Sequence, residues 1–210
     1  MSGIIGKKLG MTQVYDDKGR LVPVTVIEAG PCPVLETRTQ AKNGYSALQL
    51  GFGAKKVKNV TKAVLGHLAK TGNDKNPPAI IREIRLTADA TVAPGAVVTV
   101  ESFKDFGFVD VQGMTKGRGF MGVVRRYRFR GGRASHGGGW IRRPGSSGMR
   151  EWPGRVLAGK RYPGHMGAVT RTVQNLQIVQ VRLEENVLLV KGAVPGHRNG
   201  LVIVRKAIKK

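Results

Sequence analysis

Met11-Thr12-Gln13-Val14-Tyr15 leads into Asp16-Asp17-Lys18-Gly19 and then into Leu21-Val22-Pro23-Val24-Thr25-Val26-Ile27, and this succession is typical of a β-hairpin. Apolar and β-branched residues fill both arms, and the polar segment between them predicts the turn. Pro23 has no N–H to donate to a neighbouring strand. We therefore expect the second arm to lie at a sheet edge or to carry a bulge there.

Short apolar runs of the same kind continue along the chain. They predict further strands at residues 34–37, 45–50, 80–86, 96–100, 169–181, 186–190 and 201–204. Asn43-Gly44 predicts a two-residue turn between the first two of these strands. Many short strands at close spacing, with few helices, indicate a mainly β protein built on a closed or nearly closed β-barrel.

One helix is predicted before Pro77-Pro78 redirects the chain. Thr61 is a suitable N-cap, and Val64, Leu65 and Leu68 share one face. Gly72 is expected to end the helix.

Residues 114–165, here called the insert, differ in composition from the rest of the chain. Of these 52 residues, 13 are Lys or Arg, 13 are Gly and only Glu151 is acidic, so the insert carries +12 of the formal charge of +23. Its cations repel one another and its glycines resist ordering. We expect it to be largely extended, without helical or strand periodicity, and to become ordered only against a polyanion, for which nucleic acid is the best candidate.

The sequence thus predicts two parts. Residues 1–113 and 166–210 would form a single β-barrel body, with a small helical insertion around residues 55–78, and the insert 114–165 would project from that body. Basic residues outnumber acidic ones by 15 to 10 in residues 1–113 and by 8 to 2 in residues 166–210, which is an ordinary to mildly basic surface.

Aromatic residues alternate with arginines in the insert. Guanidinium groups bind phosphates bidentately and stack on bases, and aromatic rings stack on unpaired bases. The aromatics among these arginines are Tyr127, Phe129, Trp140, Trp152 and Tyr162. Some of them could simply pack in a core, but so few aliphatic residues surround them that we favour RNA contact for most. An irregular, arginine-rich segment suits folded RNA better than B-DNA, so no DNA partner is expected.

Motifs for other chemistry are weak. Gly117-Arg118-Gly119-Phe120-Met121-Gly122 matches G-x-G-x-x-G, but a dinucleotide site also needs an apolar packing helix after the glycines and an acid about 20 residues on. Here an arginine-rich run follows, and the next acid is Glu151. The glycines more plausibly allow close approach to phosphates or bases, so we expect no nucleotide cofactor and no small-molecule substrate.

Neither a metal site nor a catalytic site is predicted. The histidines, His67, His136, His165 and His197, have no ligand partner three or four residues away, and a single cysteine excludes a Cys-based zinc site. Ser135-His136 has no carboxylate near in sequence to orient the imidazole. We therefore expect no enzyme activity.

A reducing, cytoplasmic location is expected. The lone Cys32 excludes an intrachain disulfide. No apolar run approaches the roughly 18 residues of a membrane span. The opening residues 1–8 lack a signal-peptide core, and the insert has too many glycines for an amphipathic membrane helix, so no membrane partner is expected.

Motifs over nearly the whole chain identify a family. They are Gly6-Lys7-Lys8-Leu9-Gly10-Met11-Thr12, Phe103, Asp110, Gly113, Thr115, Gly117-Arg118-Gly119, Gly122, Arg126, Ser135-His136-Gly137, Arg143-Pro144-Gly145-Ser146, Pro153-Gly154-Arg155-Val156, Gly159-Lys160, Gly164-His165-Met166-Gly167, Val173-Gln174-Asn175-Leu176 and Leu188-Leu189-Val190-Lys191-Gly192-Ala193-Val194-Pro195-Gly196. At this spacing the chain resembles the bacterial form of the universal L-three family of large-subunit ribosomal proteins.

The resemblance implies a six-stranded barrel of the kind found in translation factors, with a long basic extension and one or two short helices. It implies that the barrel lies near the 3′ end of the 23S-type rRNA, that the protein joins subunit assembly early, and that the extension reaches toward the peptidyl transferase centre without doing chemistry. The tip would be Gly148, Met149, Arg150, Glu151, Trp152 and Pro153. Some bacterial relatives carry a methylated glutamine in this tip, and this sequence has none there.

The expected partners are 23S-type rRNA and neighbouring large-subunit proteins, with no cofactor except Mg²⁺ held through the rRNA. The residues expected to bind rRNA are Lys116, Arg118, Arg125, Arg126, Arg128, Arg130, Arg133, His136, Arg142, Arg143, Arg155, Lys160, Arg161 and His165. Two alternatives stay open on the sequence. One is a transient assembly factor or RNA chaperone, and the other, disfavoured because no cluster of acids is visible, is an RNA-acting enzyme.

Overall fold

The computed structural model describes residues 3–16, 18–90 and 92–210. Asp17 of the predicted hairpin turn and the first two residues of the N-terminal segment lie outside the described residues. The strands are β1 Gly3–Tyr15, β2 Leu21–Ala29, β3 Cys32–Arg38, β4 Ala47–Phe52, β5 Ile80–Arg85, β6 Val97–Val98, β7 Phe108–Met114, β8 Phe120–Met121, β9 Gly164–His165, β10 Thr170–Arg182, β11 Val187–Lys191 and β12 Leu201–Lys206. The α-helices are α1 Gln40–Asn43, α2 Lys62–Ala69 and α3 Val123–Tyr127, and 3-10 turns lie at Val57–Asn59 and Val100–Phe103. The predicted mainly β class is confirmed.

Six strands close into an antiparallel barrel in the order β1-β12-β7-β10-β11-β2. The two ends of the described chain meet in it, because β1 pairs with β12 and places Ile4 opposite Val204. β7 and β10 pair across a long gap in the sequence, with Gly113 opposite Arg171. Closing the ring gives each strand two neighbours and removes the exposed edges that invite aggregation. The predicted barrel, with the six strands that the resemblance implies, is confirmed.

Aliphatic side chains cover both faces of the barrel wall at β1. Ile4 and Ile5 are both fully buried. Successive side chains of a strand point to opposite faces, so one of this pair points into the barrel and the other is covered from outside. Ile27, Val111 and Val204 are also fully buried in the same hydrophobic cluster. Each such side chain contributes about 1.5–3 kcal/mol through its removal from water.

The outer cover comes from a second antiparallel sheet, in the order β5-β4-β3-β6. The strands predicted between residues 34 and 100 therefore lie in this sheet and not in the barrel. Its buried Val34, Leu50 and Ile84 belong to the same hydrophobic cluster as Ile5. The barrel and the second sheet thus share one core.

The connection around Asn43-Gly44 differs from the predicted two-residue turn. α1 ends there, and Gly44 takes a left-handed conformation (φ 76°) while its N–H donates to the Gln40 carbonyl at 3.0 Å. The Asp89 carboxylate accepts hydrogen bonds from the Gln40 N–H and from the Ser46 hydroxyl. The prediction was wrong because this carboxylate, 49 residues beyond Gln40, holds a longer connection in place.

β7 was not predicted as a strand, although it pairs with both β10 and β12. Asp110 and Gly113 interrupt its apolar run. Asp110 is buried, and its Oδ1 accepts a hydrogen bond of 2.8 Å from the Asn175 N–H. Asn175 has φ 57° at the point where the pairing of β10 shifts between Val173 and Leu176. A bulge in one strand therefore satisfies the buried carboxylate of the other, and sequence periodicity cannot detect that pairing.

Two smaller predictions have mixed outcomes. The expectation of a sheet edge or a bulge at Pro23 is wrong, because β2 pairs with both β1 and β11 in the closed barrel and the register shift between β1 and β2 lies at Lys8 and Gly10. Pro23 follows the last β11 pair at Val24, and its carbonyl accepts a hydrogen bond of 2.9 Å from the Gly192 N–H. The predicted strand at 96–100 shortens to β6, because the 3-10 turn begins at Val100.

α2 confirms the predicted helix. Thr61 takes the N-cap position but its side chain makes no capping hydrogen bond. Leu68 is fully buried, whereas Val64 is exposed, so the buried face is narrower than predicted. Gly72 lies just beyond the helix with φ 70°.

The chain divides into two compact units, Met1–Met114 with Thr170–Lys210, and Thr115–Val169. We call the first the barrel unit and the second the arginine-rich unit. In the part of the chain that the structure describes, no helix has the length and apolar character needed to cross a membrane.

Candidate nucleic-acid interface

Every residue predicted to bind rRNA lies in the arginine-rich unit, and a short ladder joins the two ends of that unit. The Thr115 N–H donates to the Val169 carbonyl at 2.9 Å, and the Arg118 N–H donates to the Met166 carbonyl at 2.8 Å. β8 pairs with β9, with Phe120 opposite His165. The prediction that the insert becomes ordered only against its partner is therefore wrong at its two ends, where the two segments pair with each other.

Gly167 makes this ladder possible. It has φ 79°, and a Cβ atom built on it would lie 2.2 Å from the Lys116 carbonyl oxygen. Only glycine allows the two segments to approach so closely at this point.

The G-x-G-x-x-G motif, residues 117–122, includes β8 and leads into α3. α3 has five residues, and Val123 is its one fully buried side chain. It ends at Arg128, which has φ 59° and donates its N–H to the Val124 carbonyl. The sequence prediction of no regular structure here was wrong for these five residues. A helix this short, followed by arginines, still lacks the apolar packing face of a dinucleotide-binding helix.

Arg126 is bound within the unit. Its Nη1 donates to the Tyr162 carbonyl at 2.8 Å, and its guanidinium carbon lies 5.0 Å from the centre of the Tyr127 ring. The Arg161 guanidinium lies 5.4 Å from the same ring. Arg126 thus links α3 to the segment around Tyr162, and it also carries a positive charge.

The remaining predicted side chains project into solvent. All of the predicted rRNA-binding residues except Arg126 are exposed. The ion pairs among the described residues, which involve Arg20, Arg38 and Arg182, all lie in the barrel unit. The cations of the arginine-rich unit therefore have no acidic partner among the described residues, and their charge is available to a ligand.

The aromatic residues divide into two groups. Tyr127 and Phe129 are half-buried, with ring centres 6.4 Å apart, and they pack within the unit. Phe120 and Trp152 are 77% and 84% exposed, and Trp140 and Tyr162 are 50% and 36% exposed. Phe120 and Trp152 have open ring faces of the kind that stack on unpaired bases, whereas the half-exposed Trp140 ring has Gly132 against it.

Residues 132–141 form a tight loop that is closed next to Trp140. The Gly132 N–H donates to the Ile141 carbonyl at 3.2 Å. A Cβ atom on Gly132 would lie 2.6 Å from the Trp140 ring, so the indole lies directly on the glycine backbone. His136 turns the chain with φ 57° and is itself exposed.

The predicted tip is open to solvent. Met149 and Trp152 are 77% and 84% exposed, and Arg150 and Glu151 are exposed beside them. The Ser146 hydroxyl donates to the Gly148 carbonyl at 2.8 Å and braces the turn that leads into the tip. An exposed apolar pair next to charged residues is typical of a contact surface and not of a folded core.

Among the described residues, no three His, Cys, Asp or Glu side chains cluster in a way that could hold a metal ion. Burial raises the pKa of Cys32 to about 11, and its Sγ donates a hydrogen bond to the Ile5 carbonyl. Its thiol is therefore protonated at neutral pH and unsuited to nucleophilic attack.

Sequence reasoning missed one basic surface in the barrel unit. Residues 54–76 contain six lysines and one acid, Asp74, and the structure exposes all six. The sequence shows this surface as a local excess of positive charge. RNA binding was predicted for the insert alone because the charge excess there is much larger.

The chain is similar to known proteins of one family. The family described as Ribosomal protein L3 matches residues 74–183. The chain is 50% identical over 208 residues to the large ribosomal subunit protein uL3 of Syntrophotalea carbinolica, covering 99% of this chain and 98% of that protein. Proteins of the same name from Pelobacter propionicus and Brachyspira pilosicoli are 47% and 44% identical, over 99% and 100% of this chain and 98% and 95% of their own lengths.

Proposed function

The chain belongs to the ribosomal protein L3 family, and we propose that it is a structural constituent of the large ribosomal subunit that binds 23S-type rRNA directly. Proteins of this family are components of the ribosome and not enzymes. The proposal assigns the rRNA contact to the arginine-rich unit.

One observation carries the proposal. Residues 115–169 hold 13 basic side chains against Glu151 alone, and the described residues offer these cations no acidic partner. Concentrated, unpaired positive charge opposes compact folding until an anion neutralises it. Each phosphate neutralised also releases condensed counterions, which makes association favourable and strongly dependent on salt.

Finer assignments follow from the family likeness. The barrel unit would lie near the 3′ end of the rRNA and join the subunit early in assembly, and the tip around Met149 and Trp152 would point toward the peptidyl transferase centre. The exposure of these two side chains supports a contact role for the tip. Exposed arginines would hold phosphates bidentately, and the open rings of Phe120 and Trp152, with the exposed part of Trp140, would stack on unpaired bases.

The partners would be the rRNA and neighbouring large-subunit proteins in the cytoplasm. No cofactor is needed, because Mg²⁺ would act through the rRNA that it folds. The protein would hold several rRNA segments together and leave the chemistry of peptide transfer to the RNA.

Sedimentation of tagged protein in a sucrose gradient tests this proposal. The lysate is washed at about 1 M salt, where the screening length falls to about 3 Å and surface-bound proteins dissociate. We expect the chain to remain with the large subunit at one copy each, because an extension enclosed by folded RNA cannot leave when its charges are screened. Release to the top of the gradient, or presence in precursor particles alone, would instead identify a transient assembly factor.

A further inference from the structure

Residues 54–76, here called the lysine lobe, leave and return to the second sheet of the barrel unit. The lobe contains Lys55, Lys56, Lys58, Lys62, Lys70 and Lys75, no arginine and one acid, Asp74. All six lysines are exposed, and none forms an ion pair with any of the described residues. We propose that the lysine lobe is a second RNA-binding surface, which contacts phosphates of double-helical RNA independently of base sequence. The inference rests on the proposed function.

The lobe is ordered without a ligand. Its two ends are joined by hydrogen bonds from the Lys55 N–H to the Pro77 carbonyl, at 2.9 Å, and from the Ala79 N–H to the Gly53 carbonyl. The fully buried Leu68 anchors α2 from inside the lobe. A polyanion binding here would therefore order lysine side chains only, and not the backbone, which keeps the entropy cost of binding low.

Polar contacts fix the helix against the sheet. His67 Nε2 lies 2.6 Å from Gln49 Oε1 of β4. The Thr71 hydroxyl donates to the Leu68 carbonyl at 3.1 Å, and the Asn73 N–H donates to the same oxygen. The C-terminal end of α2 is thus closed by its own loop, and the lysines take no part in holding the lobe together.

Charge pattern separates this surface from an ordinary solvated face. Solvated helices usually alternate acids and bases, so that residues three or four apart attract each other. Here every charge except Asp74 is positive, which is unfavourable for the isolated protein and becomes favourable only beside an anion.

Residue type indicates which anion. Lysine is a compact, strongly hydrated point charge that binds phosphate without bidentate geometry and without stacking on bases. The lobe has no exposed aromatic ring, because residues 54–76 contain no Phe, Tyr or Trp. Double-helical RNA hides its bases in a narrow groove and presents phosphates, so it matches a surface of lysines alone. The arginine-rich unit has the opposite composition and suits unpaired RNA.

Two matched triple variants of the full chain test the inference. Lys56→Gln, Lys58→Gln and Lys62→Gln remove three lobe charges, and Lys18→Gln, Lys104→Gln and Lys209→Gln remove three exposed charges elsewhere in the barrel unit. Dissociation constants are measured against salt for a 23S-type rRNA transcript and for an RNA duplex of about 20 base pairs, with thermal unfolding as the check on folding.

The slope of log K against log salt is negative. For both RNAs we expect its magnitude to be smaller by about 2–3 in the lobe variant, since each lost phosphate contact removes about one unit. The control variant should change it by less than about 0.5. Equal changes of slope in the two variants, or no change in the lobe variant, would overturn the inference. The proposed function would still stand in that case if wild-type binding to the transcript depended strongly on salt. A wild-type chain that fails to bind the transcript would overturn both.

Lysine acetylation footprinting gives a second measurement on the wild-type protein. In complex with the rRNA transcript alone, Lys56, Lys58 and Lys62 should react several-fold more slowly than in the free protein, and Lys104 should react at the same rate. Protection that appears only after the other large-subunit proteins are added would overturn the assignment to RNA and identify an acidic protein as the partner.

Discussion

In the barrel unit, aliphatic side chains from two sheets meet in one core, whereas in the 55 residues of the arginine-rich unit Val123 is the only buried residue. The barrel unit also pairs several of its charges, as in the contact between Arg38 and Glu83 at 2.9 Å. The arginine-rich unit pairs none of its charges within the described residues. The buried apolar core, which supplies folding free energy, therefore lies in the barrel unit, whereas unpaired positive charge is concentrated in the arginine-rich unit.

The largest expected effect is the loss of RNA affinity when most of the arginine-rich unit is deleted. Removal of residues 116–162 should leave cooperative unfolding of the barrel unit intact, because its core contains no residue from the deleted segment. If the deleted cations neutralise about ten phosphates, the wild-type slope of log K against log salt is about −7 to −9, and most of it should be lost. Affinity for a 23S-type rRNA transcript should fall by about 10³-fold or more.

Filter binding over a range of salt concentrations measures this change, and calorimetry checks the fold. A wild-type slope near −2 would contradict the assignment of the main RNA contact to the arginine-rich unit. Loss of cooperative unfolding in the deletion variant would contradict the separation of the two units.

The same substitution in each unit sharpens the comparison. Leu188→Ala should lower the free energy of unfolding by about 2–5 kcal/mol, because Leu188 is fully buried and a cavity would remain. Leu157→Ala, at a position that is 57% exposed, should change it by less than about 0.5 kcal/mol. Urea denaturation measures both. Comparable losses would mean that the arginine-rich unit contributes to the cooperative core.

A smaller effect is expected at the buried carboxylate of β7. Asp110→Ala would leave the Asn175 N–H without its acceptor, at a cost of about 1–3 kcal/mol. Asp110→Asn keeps an acceptor oxygen in place and should cost less. If both variants unfold at the wild-type urea concentration, the hydrogen bond across the bulge does not stabilise the barrel.

The smallest effect is a pH dependence in the barrel unit. Hydrogen bonds from the Ser46 hydroxyl and the Gln40 N–H lower the pKa of Asp89. Because the folded state favours the ionised form, this stabilisation is present above the pKa of the unfolded chain and is lost as the pH falls through the lower pKa of the folded state. Ser46→Ala should raise the pKa of Asp89 toward its ordinary value, as measured by the carboxyl ¹³C shift. An unchanged titration would mean that the Ser46 hydroxyl does not hold the carboxylate.

Particular residues show how far sequence reasoning reached. The hairpin around Asp16 and Gly19, the helix that begins at Lys62 and the family motifs were all recognised from local pattern. β7 was missed because Asp110 breaks its apolar run, and its partner Asn175 lies 65 residues away. The hydrogen bond from Arg126 to the Tyr162 carbonyl was also missed, because the two residues lie 36 positions apart in the sequence.

The sequence by itself determined the β character of the chain, the position of its charge and its family, because alternation, composition and motif spacing are local properties. Only the tertiary structure decided which strands close the barrel and which form the second sheet, as when β1 meets β12 at Ile4 and Val204. Strands that are far apart in the sequence pair because their apolar faces are buried together. The hydrophobic periodicity within one strand does not show which other strand it will pair with. The tertiary structure likewise decided that the lysine lobe is held in place by the buried Leu68, so that its charges lie on an ordered surface.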